Sequence, residues 1–487
     1  MTTSALITTA FLVIEYAIKI IAIGVVPENR RPGAAQAWLL LILFLPVVGL
    51  PLFLLIGSPY VRGRRHRIQG QANQMIREYT ASYPMLPETA EASPAVTSLV
   101  GLNRTLASLP CVLGINRGLH ADYQESISAI TRAVRAAEQY VHVEMYILAL
   151  DSTTADFFSA MGDAVRRGVK VRLLYDHLGS RGYPGFKEMD RRLTKDGVEW
   201  HRLMPIDLVR GRWRRPDLRN HRKLVVVDGS VAFMGSQNMI DSGYLKPGNV
   251  KAGRHWVDLN IELGGEIVRA IEAVFETDWY TETGERLGLS RPTAAPEGLV
   301  NGPERTAFQL VPSGPGFPTE PNLRLFTSLI HLAQRRLSIV SPYFVPDESL
   351  QAAITTAAYR GVSVELFVSE KADQFMVHHA QRSYYGPLLE SGVRIFRYPA
   401  PTILHAKFFT VDDEAGVIGS SNMDMRSFAL DYEISLLGFG GSFVAELQQV
   451  AEQYREVCRE LTPQEWARRG WRDRYLDNVM RLTAALQ

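Results

Sequence analysis

The sequence is poor in cysteine: of 487 residues only Cys111 and Cys458 are cysteines. They stand far apart and outside any metal-ligand spacing, so neither a disulfide framework nor a zinc site is written into the chain. Net charge is also scarce, at +2, which leaves no global signal for nucleic-acid binding. Basic residues are concentrated locally instead. Arg202, Arg210, Arg212, Arg214, Arg215, Arg219, Arg222 and Lys223 crowd one stretch, and an anionic ligand is expected there. Long apolar runs are missing everywhere except at the start. "ALITTAFLVIEYAIKIIAIGVV" (Ala5 to Val26) and "AAQAWLLLILFLPVVGLPLFLLI" (Ala34 to Ile56) are each long enough to cross a hydrocarbon core of roughly 30 Å. They predict a transmembrane helical hairpin over residues 1–57. No positive segment precedes the first run and the second follows almost at once, which argues against a signal peptide. Glu15 and Lys19, four apart on one helix face, offset each other's desolvation. Arg30 and Arg31 lie in the loop, whereas Arg62, Arg64, Arg65, Arg67 and Arg77 follow the second run. The positive-inside rule therefore places the large C-terminal part in the cytoplasm.

Beyond a polar connector at 58–100, the same series of elements occurs twice. Ile127, Ile130, Val134 and Ala137 fall at helical spacing before a strand near Tyr140, and Phe326, Leu329, Ile330 and Ala333 do the same farther on. "AVRRGVKVRLLYD" is echoed by "AAYRGVSVELFVS", a helix ending at glycine followed by an alternating strand. Gly197-Val198 is echoed by Gly392-Val393. A Pro- and Gly-containing linker, 290–308, separates the repeats. The reading is a duplicated α/β fold: a first domain at 101–289 and a second at 309–487. In each, helices cover both faces of a mixed or parallel sheet, and an approximate two-fold axis relates the two.

The chemistry sits in a repeated pattern. "RNHRKLVVVDG" carries His221, Lys223 and Asp228, and "ILHAKFFTVDD" repeats the spacing with His405, Lys407 and Asp412. Side chains two apart on an extended segment share a face, so each histidine and lysine converge on one ligand. Asp228 and Asp412 fall at turns and are expected to orient the strand ends. Each motif is followed by a small turn bearing an amide, "GSQN" with Ser236 and Asn238, and "GSSN" with Ser420 and Asn422. These hydroxyls and amides, with the two lysines, are expected to cradle a phosphoryl group. Asp258 and Glu433, each placed after a histidine, are expected to accept the Nδ1 proton and leave Nε2 free. With a pKa of about 6.5, one imidazole attacks phosphorus while the other donates a proton to the leaving alcohol. Charge on the phosphoryl oxygens is met by Lys223, Lys407, Asn238 and Asn422, so neither a metal nor a cofactor is required.

The doubled HxKxxxxD with GSxN resembles the phospholipase D superfamily, and the finer pattern is similar to bacterial cardiolipin synthases. The similar features include "NRRPGAAQAWLLLILFLPVVGLPLFLLIG", "PSGP", "SPYFVPDESL" and "GSSNMDMRSFALDYEIS". The resemblance covers nearly the whole chain. It implies two phospholipase D-like domains and a location in the bacterial inner membrane. It also implies transfer between two phosphatidylglycerol molecules, with His221 as the nucleophile that carries the phosphatidyl group and His405 as acid and then base. Sequence symmetry alone allows the reverse assignment. Where members of the family often have Asn before the aromatic residue near the second carboxylate, this chain has Asp431. Other readings are open: a hydrolase, either a phospholipase D or a membrane-anchored nuclease; transfer with phosphatidylethanolamine or another alcohol as partner; and an inert lipid-binding scaffold. The bilayer hairpin and the few aromatics among the arginines speak against nucleic acid as partner. Two complete motifs speak against a scaffold.

Overall fold

A computed structural model describes residues 3–28, 32–57, 64–206, 215–288, 305–317 and 319–483. The chain divides into two compact units, residues 1–63 with 206–217, and residues 64–205 with 218–487. The first unit contains helices Thr3–Val25, Pro32–Phe44 and Pro46–Leu52. A wider turn, Phe53–Gly57, continues the last of them. The second apolar run is thus split at Leu45, because Pro46 has no N–H with which to continue the hydrogen-bond ladder. Ala22, Val26, Ile42 and Phe53 form a small buried cluster, with Trp38 edge-on to Phe53. Lys19 pairs with Glu15 as their spacing predicts. Among the described residues no helix is long and apolar enough to cross a membrane.

The second unit is built on one large sheet. Its first half orders the strands Cys111–His120, Asn260–Gly265, Val231–Gly235, Leu224–Val227, Tyr140–Met145, Lys170–Asp176 and Glu199–Leu203. The second half orders them Arg305–Ser313, Asp431–Phe439, Ala415–Gly419, Phe408–Val411, Arg336–Val340, Ser363–Ser369 and Arg394–Tyr398, with Arg459–Leu461 at the outer edge. The two orders match position for position. Cys111–His120 and Arg305–Ser313 pair antiparallel, Leu113 opposite Ala307, so the duplicated halves are fused through a shared seam. The three outermost repeated strands of each half run parallel and the rest antiparallel.

Helices cover both faces, which explains why the central strands show no polar alternation. In Leu224–Val227, Val225 and Val227 pack with Ile127, Ile130 and Phe157 of helices Tyr123–Ala136 and Ala155–Arg166. Leu224 and Val226 face the other way, toward Ile267, Ile271 and Phe275 of helix Ile267–Thr283. Helix Phe443–Val457 fills the corresponding place in the second half. Two expected boundaries change. The 58–100 connector holds helix Arg64–Tyr79 and the first half of helix Pro94–Ala107, whose Val96, Leu99 and Val100 are core residues. Residues 289–304 lie outside the described residues, and strand Arg305–Ser313 begins inside the stretch read as linker because Thr306 to Gln309 are needed to close the seam.

Candidate active site

Each histidine lies in an extended lead-in to its strand, not in the strand itself: His221 and Lys223 precede Leu224–Val227, and His405 and Lys407 precede Phe408–Val411. The lead-ins cross the seam. Arg219–Asn220 pairs parallel with Asp431 and Tyr432, and the His221 N–H donates to Tyr432 O at 2.8 Å. Ile403–Leu404 pairs parallel with Trp256 and Val257, and the His405 N–H donates to Val257 O at 2.7 Å. The acid of one half therefore meets the histidine of the other. His221 Nδ1 lies 3.0 Å from Glu433, and His405 Nδ1 lies 2.6 Å from Asp258. Chain order puts each acid after the histidine of its own half, and the fold exchanges them. With Nδ1 donating to a carboxylate, each imidazole is held in the tautomer that carries no proton on Nε2.

The GSxN turns serve the carboxylates. Ser236 Oγ donates to Asp258 at 2.7 Å and accepts from Leu259 N. Ser420 Oγ donates to Glu433 and accepts from Ile434 N. Both hydroxyls, expected at a phosphoryl oxygen, instead brace the acids that hold the histidines. The preceding glycines allow this approach: a Cβ on Gly235 would stand 2.3 Å from Leu259 O, and one on Gly419 2.3 Å from Ile434 O. Asn238 is also engaged within the protein, accepting from Ile147 N and donating to the Tyr244 hydroxyl. Asn422 keeps a buried Oδ1 without a partner. Each lysine ammonium donates to the carbonyl of its own histidine, at 2.6 Å in both halves.

Asp228 and Asp412 do what their turns suggest. Asp228 accepts three backbone N–H groups, of Glu138, Gln139 and Tyr140. Asp412 accepts those of Gln334, Arg335 and Arg336. Both stand at φ +50°, a region that Asp tolerates better than most residues. Each thus ties the far end of its histidine strand to the start of the neighbouring strand.

The site is closely packed, with the His221 and His405 side chains 11% and 7% exposed. Burial, reinforced by Lys223, Lys407 and His405, pushes the His221 imidazole well below its ordinary pKa. Burial also lowers His405, against the pull of Asp258. Lys223 falls to about 7 and Lys407 to about 8, burial being the largest cause for both. The two acids diverge. Burial lifts Glu433 to about 7, while for Asp258 burial is outweighed by His405 and Lys407, which hold it below the usual range. Beside Glu433, burial lifts Asp431 to about 8 although the Arg426 Nε donates to it at 3.1 Å. The Tyr146 ring stands edge-on to His221 at 4.7 Å, and Tyr244 and Tyr343 flank His405.

Four arginines of the basic stretch are paired within the protein. Arg219 is buried and pairs with Asp176 at 3.2 Å. Arg222 is buried and pairs with Asp278 at 2.6 Å. Arg202 is bound to Asp190 and the Tyr175 hydroxyl, and Arg215 to Asp217. Asp176 and Asp278, 43 and 56 residues away, and the nearer Asp190 and Asp217 thus neutralise all four. Arg210, Arg212 and Arg214 lie outside the described residues. Sequence reasoning passed over Asn220, Asp278 and Tyr146; Asn220 adjoins His221 in the first motif, whereas Asp278 and Tyr146 stand far from either motif and carry no local signal.

Comparison with known proteins gives matches over most of the chain. Residues 130–279 and 326–455 match the family model described as cardiolipin synthase, PLD-like domain, and residues 16–58 match a phospholipase D-nuclease N-terminal model. A cardiolipin synthase of Geobacillus kaustophilus is 32% identical over 96% of this chain and 91% of its own length. A cardiolipin synthase A of Proteus mirabilis is 31% identical over 93% of this chain and 92% of its own. Among solved structures, the phosphatidylserine synthase of Haemophilus influenzae superposes with a TM-score of 0.58 at 16% identity, covering 80% of this chain and all of that one. That likeness concerns the fold.

Proposed function

The chain belongs to the cardiolipin synthase family of phospholipase D-like proteins, and on that premise we propose that it joins two phosphatidylglycerol molecules into cardiolipin and glycerol. His221 Nε2 attacks the phosphorus of the first lipid, and the bond from phosphorus to the glycerol headgroup breaks. His405 gives its proton to the departing glycerol oxygen. The phosphatidyl group then rests on His221. His405, now neutral, takes the proton of a terminal hydroxyl of a second phosphatidylglycerol, whose oxygen attacks the phosphorus and frees His221. Lys223 and Lys407 stabilise the charge that builds on the phosphoryl oxygens.

The observation that carries this reading is the exchanged pair of hydrogen bonds, His221 to Glu433 and His405 to Asp258. It gives two imidazoles of one tautomer, flanked by two lysines. For the N-terminal unit the proposal is a membrane anchor with the catalytic body on the cytoplasmic face of a bacterial inner membrane. Its support is the match over residues 16–58 and the apolar side chains left exposed there, among them Val13, Ile20, Ile21, Phe44 and Val47. Purified protein incubated with vesicles of phosphatidylglycerol is expected to release cardiolipin and glycerol in equal amounts. Phosphatidic acid as the main product would replace transfer by hydrolysis.

A further inference from the structure

We propose that Arg222 is a positioning residue for the first histidine, acting by clamping the segment that delivers Glu433 across the seam. Its guanidinium joins three elements. Nε donates to the backbone oxygen of Glu433 at 3.1 Å, Nη1 to Asp278 of helix Ile267–Thr283 at 2.6 Å, and Nη2 approaches Ser313 O at 3.4 Å. The same plane lies over the Tyr432 ring, 5.6 Å from its centre. The residue whose carboxylate holds His221 is therefore itself held, through its main chain, by the residue next to His221. Asn220 closes the arrangement from the other side. Its Nδ2 reaches Glu144 at 2.8 Å and Asp278 at 3.0 Å, and its Oδ1 accepts from Arg222 N. Every group in this chain of contacts is buried.

A buried ion pair is a weak source of net stability, because desolvation offsets most of the attraction. What it supplies here is direction. Glu433 arrives from the second half on strand Asp431–Phe439, and its carboxylate must meet a histidine delivered by the first. A carboxylate misplaced by a fraction of an ångström costs the reaction far more than it costs the fold. The second half makes its counterpart contact without such a clamp, having Ala406 between His405 and Lys407.

The proposal rests on His221 being the nucleophile, and the test reads release of glycerol from phosphatidylglycerol, a step common to transfer and hydrolysis. An error about the acceptor therefore leaves the test intact. In the full-length protein, R222M/D278L replaces the pair by apolar side chains of similar volume. Expected is a thermal midpoint near that of the unaltered protein, KM for phosphatidylglycerol unchanged, and kcat lower by between about ten- and a hundredfold. R222K, which retains the charge and one contact, should recover part of kcat, and it serves alone if the double variant does not fold. Full kcat in the double variant, or equal kcat in R222K and the unaltered protein, would overturn the proposal.

Discussion

The two histidines occupy equivalent places on seats of opposite character. His221 sits in Arg219-Asn220-His221-Arg222-Lys223, and its neighbours bind Asp176, Glu144 and Asp278 in a buried polar network. His405 sits in Ile403-Leu404-His405-Ala406-Lys407, where Leu404 and Ala406 belong to the same apolar cluster as Phe408 and Ile434. The acids differ in the same sense: Asp258, facing His405, is held low, and Glu433, facing His221, is raised to about 7. Duplication supplied the geometry twice, and the surroundings were then free to diverge, as a division of labour between nucleophile and proton carrier requires.

The comparison breaks most sharply at the histidines. His221→Ala and His405→Ala should each lower cardiolipin formation at least about ten-thousandfold. The two should part on a phosphatidyl ester of nitrophenol, whose leaving group departs without a proton. His405→Ala regains nitrophenol release on that substrate and His221→Ala does not. Equal rescue of both would erase the assignment of roles. Next in size is a reciprocal exchange of the seats. Asn220→Leu strips Glu144 and Asp278 of a donor, and Leu404→Asn buries an amide in an apolar cluster. Each should lower unfolding free energy by ~2–4 kcal/mol in urea titration. A tolerated Leu404→Asn would mean that the second seat is less apolar than its packing indicates.

The smallest effect is in pH dependence. Lys223 and Lys407 have folded-state pKa values of about 7 and about 8, so their charge is present below those values and lost above them. Because kcat/KM reports the free enzyme, it should decline as pH rises through 7 to 8 and not near the ordinary lysine value. Stability runs the other way. A lysine whose folded pKa is depressed is penalised while charged, so stability rises with pH from about 7 toward about 10.4. Denaturation midpoints measured across that window check the sign.

The features of the site that repeat in the sequence were legible there: the two HxK spacings, the glycines of both GSxN turns, and the helix–strand echoes that became equivalent strands. What was not legible depends on register across the seam. Nothing local in "WVDLNIEL" or "DYEISLLG" says which histidine its acid will meet, because that follows from Arg219 pairing with Asp431 and Ile403 with Trp256. The serines were misdirected for the same reason: a hydroxyl in a turn has many acceptors, and only the neighbouring strand chooses. Arg202, Arg215, Arg219 and Arg222 were assigned to an anionic ligand because a charged run is ordinarily solvated and open to one. Asp176, Asp190 and Asp278, far off in sequence or on other elements, are what allow burial or close pairing here. In the N-terminal unit hydropathy marked both apolar runs, while Pro46 set the break that hydropathy averages over.

The exchange of carboxylates has a consequence for the life of the chain before it is an enzyme. A first half that has folded alone presents His221 without Glu433, and a second half alone presents His405 without Asp258. Neither imidazole is then fixed, so neither has the tautomer that attack or proton transfer needs. Both histidine–carboxylate pairs are complete only once the strands at 111–120 and 305–313 have met and the sheet has closed through its middle.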